Sequence, residues 1–212
     1  MLRMTQHTRM SPAMSRIVAA FLCCLAFATA PAAAQAGAPV PSENVRKGGL
    51  DSSAIPYPGT SVQWGRAVMM LDAPADKVMS IIENYAGYHT FLPNFTTSRV
   101  LSQRGSSALV YVQLEIMNGA ATIWAELKLR PKKTDGTTQV IEGTMTKGNV
   151  KLFQALWEVT PQADGRTLVA LQMIVDPDLP VPSSILTGEN QKSARKAMRA
   201  LRDKLAAQKP AK

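Results

Sequence analysis

Between Phe95 and Val175 the chain returns repeatedly to short runs of strand-forming residues, each cut off by a tight-turn signal. The runs are Phe95–Gln103, Ala108–Met117, Thr122–Arg130, Thr138–Met145, Val150–Val159 and Thr167–Val175. Between them stand Arg104-Gly105-Ser106-Ser107, Asn118-Gly119, Thr134-Asp135-Gly136, Lys147-Gly148-Asn149 and Ala163-Asp164-Gly165. Asn-Gly and Asp-Gly steps supply the positive φ that short hairpin turns demand, so successive runs are expected to pair antiparallel. Inside a run the side chains alternate. Ile123, Ala125, Leu127 and Leu129 share one side, and Trp124, Glu126, Lys128 and Arg130 the other. This is the pattern of a sheet with one buried and one wet face. Such a sheet must bury its apolar face against something else.

The flanking segments supply that cover. Val62 to Leu71 reads as a first strand, ending at Asp72-Ala73-Pro74, where Asp72 is a candidate helix N-cap and Pro74 suits the first turn. Val78, Ile81, Ile82 and Tyr85 then recur at helical spacing, which predicts a short helix to about Asn84. A loop carrying Tyr88, Phe91, Leu92 and Pro93 follows. After the last strand, Pro177, Pro180 and Pro182 forbid helix or central strand. From Ser183 to Ala207 a helix is expected, with Ile185, Leu186, Ala194, Ala197, Met198, Leu201 and Leu205 on one stripe. The fold class is therefore α+β: a seven-stranded antiparallel sheet around one long C-terminal helix, with a short helix and an aromatic loop after the first strand.

Both ends of the chain stand apart. Arg3, His7, Arg9 and Arg16 precede an apolar run from Ile17 to Ala30, and small residues then offer cleavage after Ala34 or Ala36. These are the parts of a secretory signal peptide, and the run of about 14 apolar residues is short of the roughly 20 needed to span a bilayer. Residues 1–36 are read as that leader, residues 37–60 as a flexible spacer rich in Pro and Gly, residues 61–207 as one folded domain, and residues 208–212 as a basic tail. Cys23 and Cys24 both fall in the leader, so the exported domain is expected to hold neither disulfide nor thiol chemistry. The location expected is periplasmic or secreted.

The formal net charge is +9, but residues 35–190 hold 13 basic and 14 acidic side chains and are nearly neutral. The excess lies in the leader and in the last helix, where Lys192, Arg195, Lys196, Arg199 and Arg202 form a stripe. Export and the lack of interleaved aromatics argue against nucleic acid, whereas anionic lipid headgroups suit such a stripe.

Several stretches resemble the START-like (SRPBCC) superfamily, in particular its polyketide cyclase/coenzyme Q-binding domains. They are Asp72-Ala73-Pro74-Ala75-Asp76-Lys77-Val78, Tyr85-x-x-Tyr88-x-x-Phe91-Leu92-Pro93-Asn94 and Ser98-Arg99-Val100-Leu101. Trp157-Glu158-Val159-Thr160-Pro161 and the Asp176-Pro177 to Val181-Pro182 approach to the last helix belong with them. The resemblance spans about residues 61–207. It implies a helix-grip fold with an apolar cavity between sheet and helix, and ligands such as lipids, sterols, quinones or polyketides. His89 departs from it, because many relatives carry proline there, and the loop is expected to be less rigid without that ring.

Candidate site residues follow. Tyr85, Tyr88, Phe91, Leu92 and Pro93 are expected to plug or gate the cavity, with Trp124, Phe153, Trp157, Met173 and Met198 as its wall. His89 is the one histidine outside the leader, so no histidine-based metal site, and no metal or cofactor, is expected. No nucleophile elbow or phosphate-binding glycine loop occurs. Among strand acids, Glu115 is the candidate for proton transfer, with Gln113 on its face. The leading expectation is a carrier of a hydrophobic small molecule. A cyclase-, aromatase- or hydrolase-type enzyme using an inward polar residue is the alternative, and an interaction module with a solid interior is a third.

Overall fold

The computed structural model describes residues 40–132 and 136–208. The leader at 1–36 and the tail from 209 lie outside the described residues. Eight strands form one sheet: β1 (Leu50–Ile55), β2 (Trp64–Leu71), β3 (Phe95–Arg104), β4 (Ser107–Ile116), β5 (Ala121–Lys132), β6 (Gln139–Gly148), β7 (Val150–Pro161) and β8 (Thr167–Pro177). Their order is β1-β2-β8-β7-β6-β5-β4-β3, and every neighbouring pair is antiparallel. Three helices accompany them: α1 (Glu43–Arg46), α2 (Ala75–Ile82) and α3 (Ser183–Ala207). A 3-10 turn at Tyr85–Thr90 follows α2, and another at Met117–Gly119 joins β4 to β5.

The expected seven strands are eight, because the segment read as a flexible spacer carries α1 and β1. Ser42 caps α1, its Oγ accepting from the Val45 N–H at 3.1 Å. β1 then pairs with β2 from Leu50↔Met69 to Ile55↔Trp64. Its sequence, Leu-Asp-Ser-Ser-Ala-Ile, has little strand propensity of its own; the unpaired edge of β2 supplies the reason to extend. The start of α2 also differs from expectation. The helix begins at Ala75 with Pro74 in the N-cap position, and Asp72 lies exposed two residues too early to cap it.

Alternation along the middle strands is as the sequence implies. Ala108, Val110, Val112 and Leu114 of β4 and Ile123, Ala125, Leu127 and Leu129 of β5 are buried in one core with α2 and α3. The opposite face is not uniformly wet. Val45 of α1 closes over Val68, Met70, Leu168 and Ala170, a second apolar cluster on the outer side of β2 and β8. All nine β8 positions before Asp176 are therefore buried in succession, the signature of a strand covered on both faces.

α3 lies against β2 and β8 at close range. A Cβ placed on Gly65 would stand 2.1 Å from the Asn190 carbonyl carbon, so only glycine lets the helix approach so near. Asn190 locks the joint. Its Nδ2 donates to the carbonyls of Gln63 (3.1 Å) and Val175 (3.3 Å), and its Oδ1 accepts from the Val175 N–H (3.1 Å). Leu186, Ala194, Ala197, Met198, Leu201 and Leu205 are buried along the helix as expected, but Ile185 is 47% exposed. Ile185 sits in the first turn on the solvent side, while its neighbour Leu186 takes the inward place against Val62 and Ile174.

Candidate functional site

The space between sheet and α3 is filled largely by the protein's own side chains. Phe153, Trp157 and Met198 are buried in the main core, as are Tyr85 and Tyr88. The two tyrosines belong to an aromatic knot. Tyr88 meets Tyr85, Phe91 and Phe95 edge-on, with ring centres 5.9, 6.0 and 6.0 Å apart. The Tyr88 hydroxyl donates to the Ile82 carbonyl at 2.6 Å, and the Ser98 hydroxyl donates to the Tyr85 carbonyl. Burial pushes the Tyr88 phenol far above its usual range; Tyr85 is pushed up to about 12, by burial first and the neighbouring Glu83 carboxylate second. Both rings therefore stay neutral over physiological pH and pack as part of the core.

An opening lies at one end of the cup. A cavity of about 60 Å³ lies between the Leu92–Phe95 loop, the end of β4, the end of β8 and the first half of α3. At roughly 10–15 Å³ per water it has room for about four to six waters, well below the ~300–1,000 Å³ of ordinary ligand pockets. Leu92, Leu114, Met173, Val175 and Leu186 give it an apolar floor. Glu189, Ser193 and Lys196 bring polar groups to it, and Glu115 meets its edge from the outward register of β4.

Two loops frame this opening, and both hold strained backbone. Asn94 (φ 70°), Met117 (φ 53°) and Asn118 (φ 58°) are the positive-φ residues other than glycine among the described residues. Left-handed backbone costs an L-residue about 1–2 kcal/mol, and such strain concentrates at functional segments. The loops are tied together where the Glu115 N–H donates to the Asn94 carbonyl at 2.9 Å. The Asn118-Gly119 step announces a turn, yet nothing in sequence shows that Met117 before it shares a cavity with Leu92, Pro93 and Asn94.

The structure thus brings Leu92, Pro93, Met173 and Glu115 to the opening. Tyr85, Tyr88, Phe153, Trp157 and Met198 pack behind it, and Phe91 is half-buried against the same core. Trp124 is a correction: it is not cavity wall. It occupies the outward register of β5, between buried Ile123 and Ala125, so alternation turns it away from the cup. There it stacks on Tyr111 with centres 6.1 Å apart, while the Arg99 guanidinium lies 5.1 Å from the Tyr111 ring and the Lys147 ammonium 6.0 Å from the Trp124 ring. Asn94, Ile116, Met117, Leu186, Ser193 and Ala197 line the cavity without having been singled out from sequence. Of these, Asn94 carried a local signal, a residue tolerant of left-handed backbone after a Leu-Pro pair.

Of the basic stripe, Lys192 is held by Glu189 at 3.2 Å and Arg202 by Asp203 at 3.1 Å; Arg195 and Arg199 are exposed, and Lys196 turns to the cavity rim. His89 is exposed, and among the described residues no three His, Cys, Asp or Glu side chains gather as a metal site. No described helix is long and apolar enough to cross a membrane.

Comparison with known proteins agrees with this architecture. No curated protein sequence matches the chain significantly. Among solved structures, a STAR-related lipid transfer protein from Xanthomonas axonopodis is similar, with a TM-score of 0.64 at 16% identity over 74% of this chain and 93% of that one. Human StAR-related lipid transfer protein 5 gives a TM-score of 0.65 at 10% identity, covering 74% and 82% of the two chains. A START superfamily protein from Mycobacterium smegmatis gives 0.58 at 14% identity, covering 69% and 99%. At these identities the likeness concerns the fold, a helix-grip sheet closed by a C-terminal helix. The sequence itself matches the family described as polyketide cyclase / dehydrase and lipid transport over residues 71–202, more than half its length, and the chain belongs to that family.

Proposed function

We propose that the chain binds a hydrophobic small molecule of lipid, quinone or polyketide type in the cup between sheet and α3, and carries it without chemical change. The observation that supports this reading most is the apolar-floored opening set between two strained loops. A lipid-sized guest needs several times the present 60 Å³, so binding requires the Leu92–Phe95 and Met117–Gly119 loops to part. Met117 and Met173 at the opening are flexible enough to re-pack around a guest. Burial of apolar ligand surface at roughly 25 cal/mol per Å² drives affinity, less the cost of association and loop movement. The test is a mass spectrum of the organic-solvent extract of the purified protein, followed by loading with apolar probes. About one lipid or quinone per chain is expected. An empty extract together with failure to load any probe overturns the reading and favours a solid interaction module.

An enzymatic role of cyclase, aromatase or hydrolase type is the second reading, since Glu115 does line the cavity. It predicts turnover of a polyketide-type substrate that falls to background in Glu115→Gln.

Export rests on the leader at residues 1–36. It predicts a periplasmic or secreted protein whose first residue is Gln35 or Gly37, read by intact mass. The stripe of Lys192, Arg195, Lys196, Arg199 and Arg202 supports contact with an anionic bilayer during ligand exchange. Changing all five to glutamine is expected to abolish flotation with anionic vesicles; unchanged flotation removes the membrane from the scheme.

A further inference from the structure

A second cavity lies on the outer side of the sheet, away from α3 and the cup. It holds about 390 Å³ between α1 and strands β1 and β2, within the ~300–1,000 Å³ of ordinary ligand sites. Strand register decides what faces it. Val45 of α1 closes over Val68 on this side, so Arg66, two residues before Val68, points the same way. Asp51 pairs with Val68 and Ser53 with Arg66 across the ladder, which sets both on that face. Arg66, Asp51 and Ser53 line the space together with Ser42 and Ser52.

Arg66 is left incomplete there. Its side chain is only 23% exposed, yet it makes no hydrogen bond to any described residue. Nη2 stands 3.9 Å from an oxygen of buried Glu158, close enough to balance the charge and too far to hydrogen-bond. Nε is buried with no acceptor at all, and unmatched donors in a dry place are costly. Asp51 differs: the Asn44 amide donates to it at 2.7 Å, and its carboxylate keeps acceptor capacity to spare. What Arg66 lacks is therefore acceptors, not a counter-charge.

We infer that this outer cavity is a second binding site, for a small uncharged molecule rich in hydroxyl groups, a polyol or a sugar. Hydroxyl oxygens supply the acceptors that the Arg66 guanidinium lacks, and hydroxyl hydrogens donate to Asp51. Ser42, Ser52 and Ser53 can do either. An anion would answer Arg66 but meet Asp51 in the cavity and Glu158 behind it. A cation would meet Arg66 and leave its donors unmatched. An apolar guest would strip water from all of these groups and replace none of their hydrogen bonds.

Glucose, myo-inositol and ribitol, with sodium phosphate and putrescine as charged counterparts, are titrated calorimetrically into the purified protein. Calorimetry reads binding itself, whereas a melting shift would not, because excluded polyols stabilise any protein. Saturable heat is expected from at least one hydroxylated probe and from neither charged one. Arg66→Lys keeps the charge beside Glu158 but loses the planar fork, and is expected to weaken that binding roughly tenfold or more. Ser53→Val, at an exposed position opposite Arg66, crowds the same space without touching the Arg66–Glu158 pair and is expected to abolish the heat. Loading of apolar probes into the cup is expected to stay as it is in both variants, which separates the two sites. No saturable heat from any hydroxylated probe, tighter binding of phosphate or putrescine, or unchanged affinity in both variants overturns the inference.

Discussion

Replacing Gly65 by alanine is a stringent test of how α3 is held. The new methyl carbon would lie 2.1 Å from the carbonyl carbon of Asn190, 2.2 Å from its oxygen and 2.3 Å from the Gln191 nitrogen. All three are backbone atoms, so no rotamer change makes room. Ordinary contact begins near 3.4 Å, and the helix must therefore back away by about 1.3 Å. At that displacement the three Asn190 hydrogen bonds, now 3.1–3.3 Å, are broken or badly stretched. Overpacking of this kind costs about 1–3 kcal/mol, and each buried hydrogen bond lost adds about 1 kcal/mol. A loss of roughly 4–6 kcal/mol follows, a large share of the ~5–15 kcal/mol that holds a domain together. For a domain of this size it lowers Tm by roughly 10 °C. Gly188→Ala is the internal control. It lies within α3 with nothing inside 4 Å of its added carbon, so the same substitution is expected to stabilise by up to about 1 kcal/mol through helix propensity. Urea titrations of both variants against the parent measure the contrast. If Gly65→Ala stays within about 0.5 kcal/mol of the parent, the helix does not sit on β2 as described and the reasoning is wrong.

Other outcomes follow from the same packing. Trp157→Ala empties a core position and is expected to cost about 3–5 kcal/mol, whereas Trp124→Ala loses only a surface stack worth about 1 kcal/mol; comparable losses would return Trp124 to the interior. Asn94→Val forces a β-branched residue to φ 70° and is expected to destabilise by about 1–2 kcal/mol, with Asn94→Gly near neutral; both are read by thermal melts. Alkaline stability carries a sign that the buried phenols fix. Tyr85 and Tyr88 bind their protons more tightly folded than unfolded, so the stability they give is whole below pH 10 and falls as pH rises toward 12. Each phenol adds a slope of up to about 1.4 kcal/mol per pH unit, and Tyr85→Phe and Tyr88→Phe are expected to flatten it in urea titrations followed by tyrosinate absorbance.

What the sequence made legible was whatever rests on local period and turn chemistry. The alternation in β5, the Gly-containing turns, the proline break before α3 and the buried stripe of that helix all follow from neighbours a few residues apart. What stayed hidden depends on partners far along the chain. β1 forms because β2 has a free edge, and α1 folds over β8 because Val68 and Leu168 leave an apolar patch for Val45. The cavity was less legible still. Tyr85 and Tyr88 have the composition of a gate, but their inward geometry makes them core, and the opening lies among residues that only tertiary structure assembles: Asn94 against Glu115, and the Leu92–Phe95 loop opposite Ser193 and Lys196 of α3. Trp124 shows the opposite error, a large aromatic that alternation sends outward whatever its size.

The joint between β2 and β8 has a consequence for when the domain can form. Gly65 pairs with Met173 and Leu71 with Thr167, so the inner edge of the amino-terminal hairpin waits for a strand made almost last. α3, which packs across the inner face of the sheet and whose Asn190 pins that joint, is later again. Contacts so distant in sequence are slow to find, because the intervening loop entropy must be spent before they reward it. A growing chain of this order stays unfinished until its final helix is released, so the sheet and its closing helix must come together in one late step.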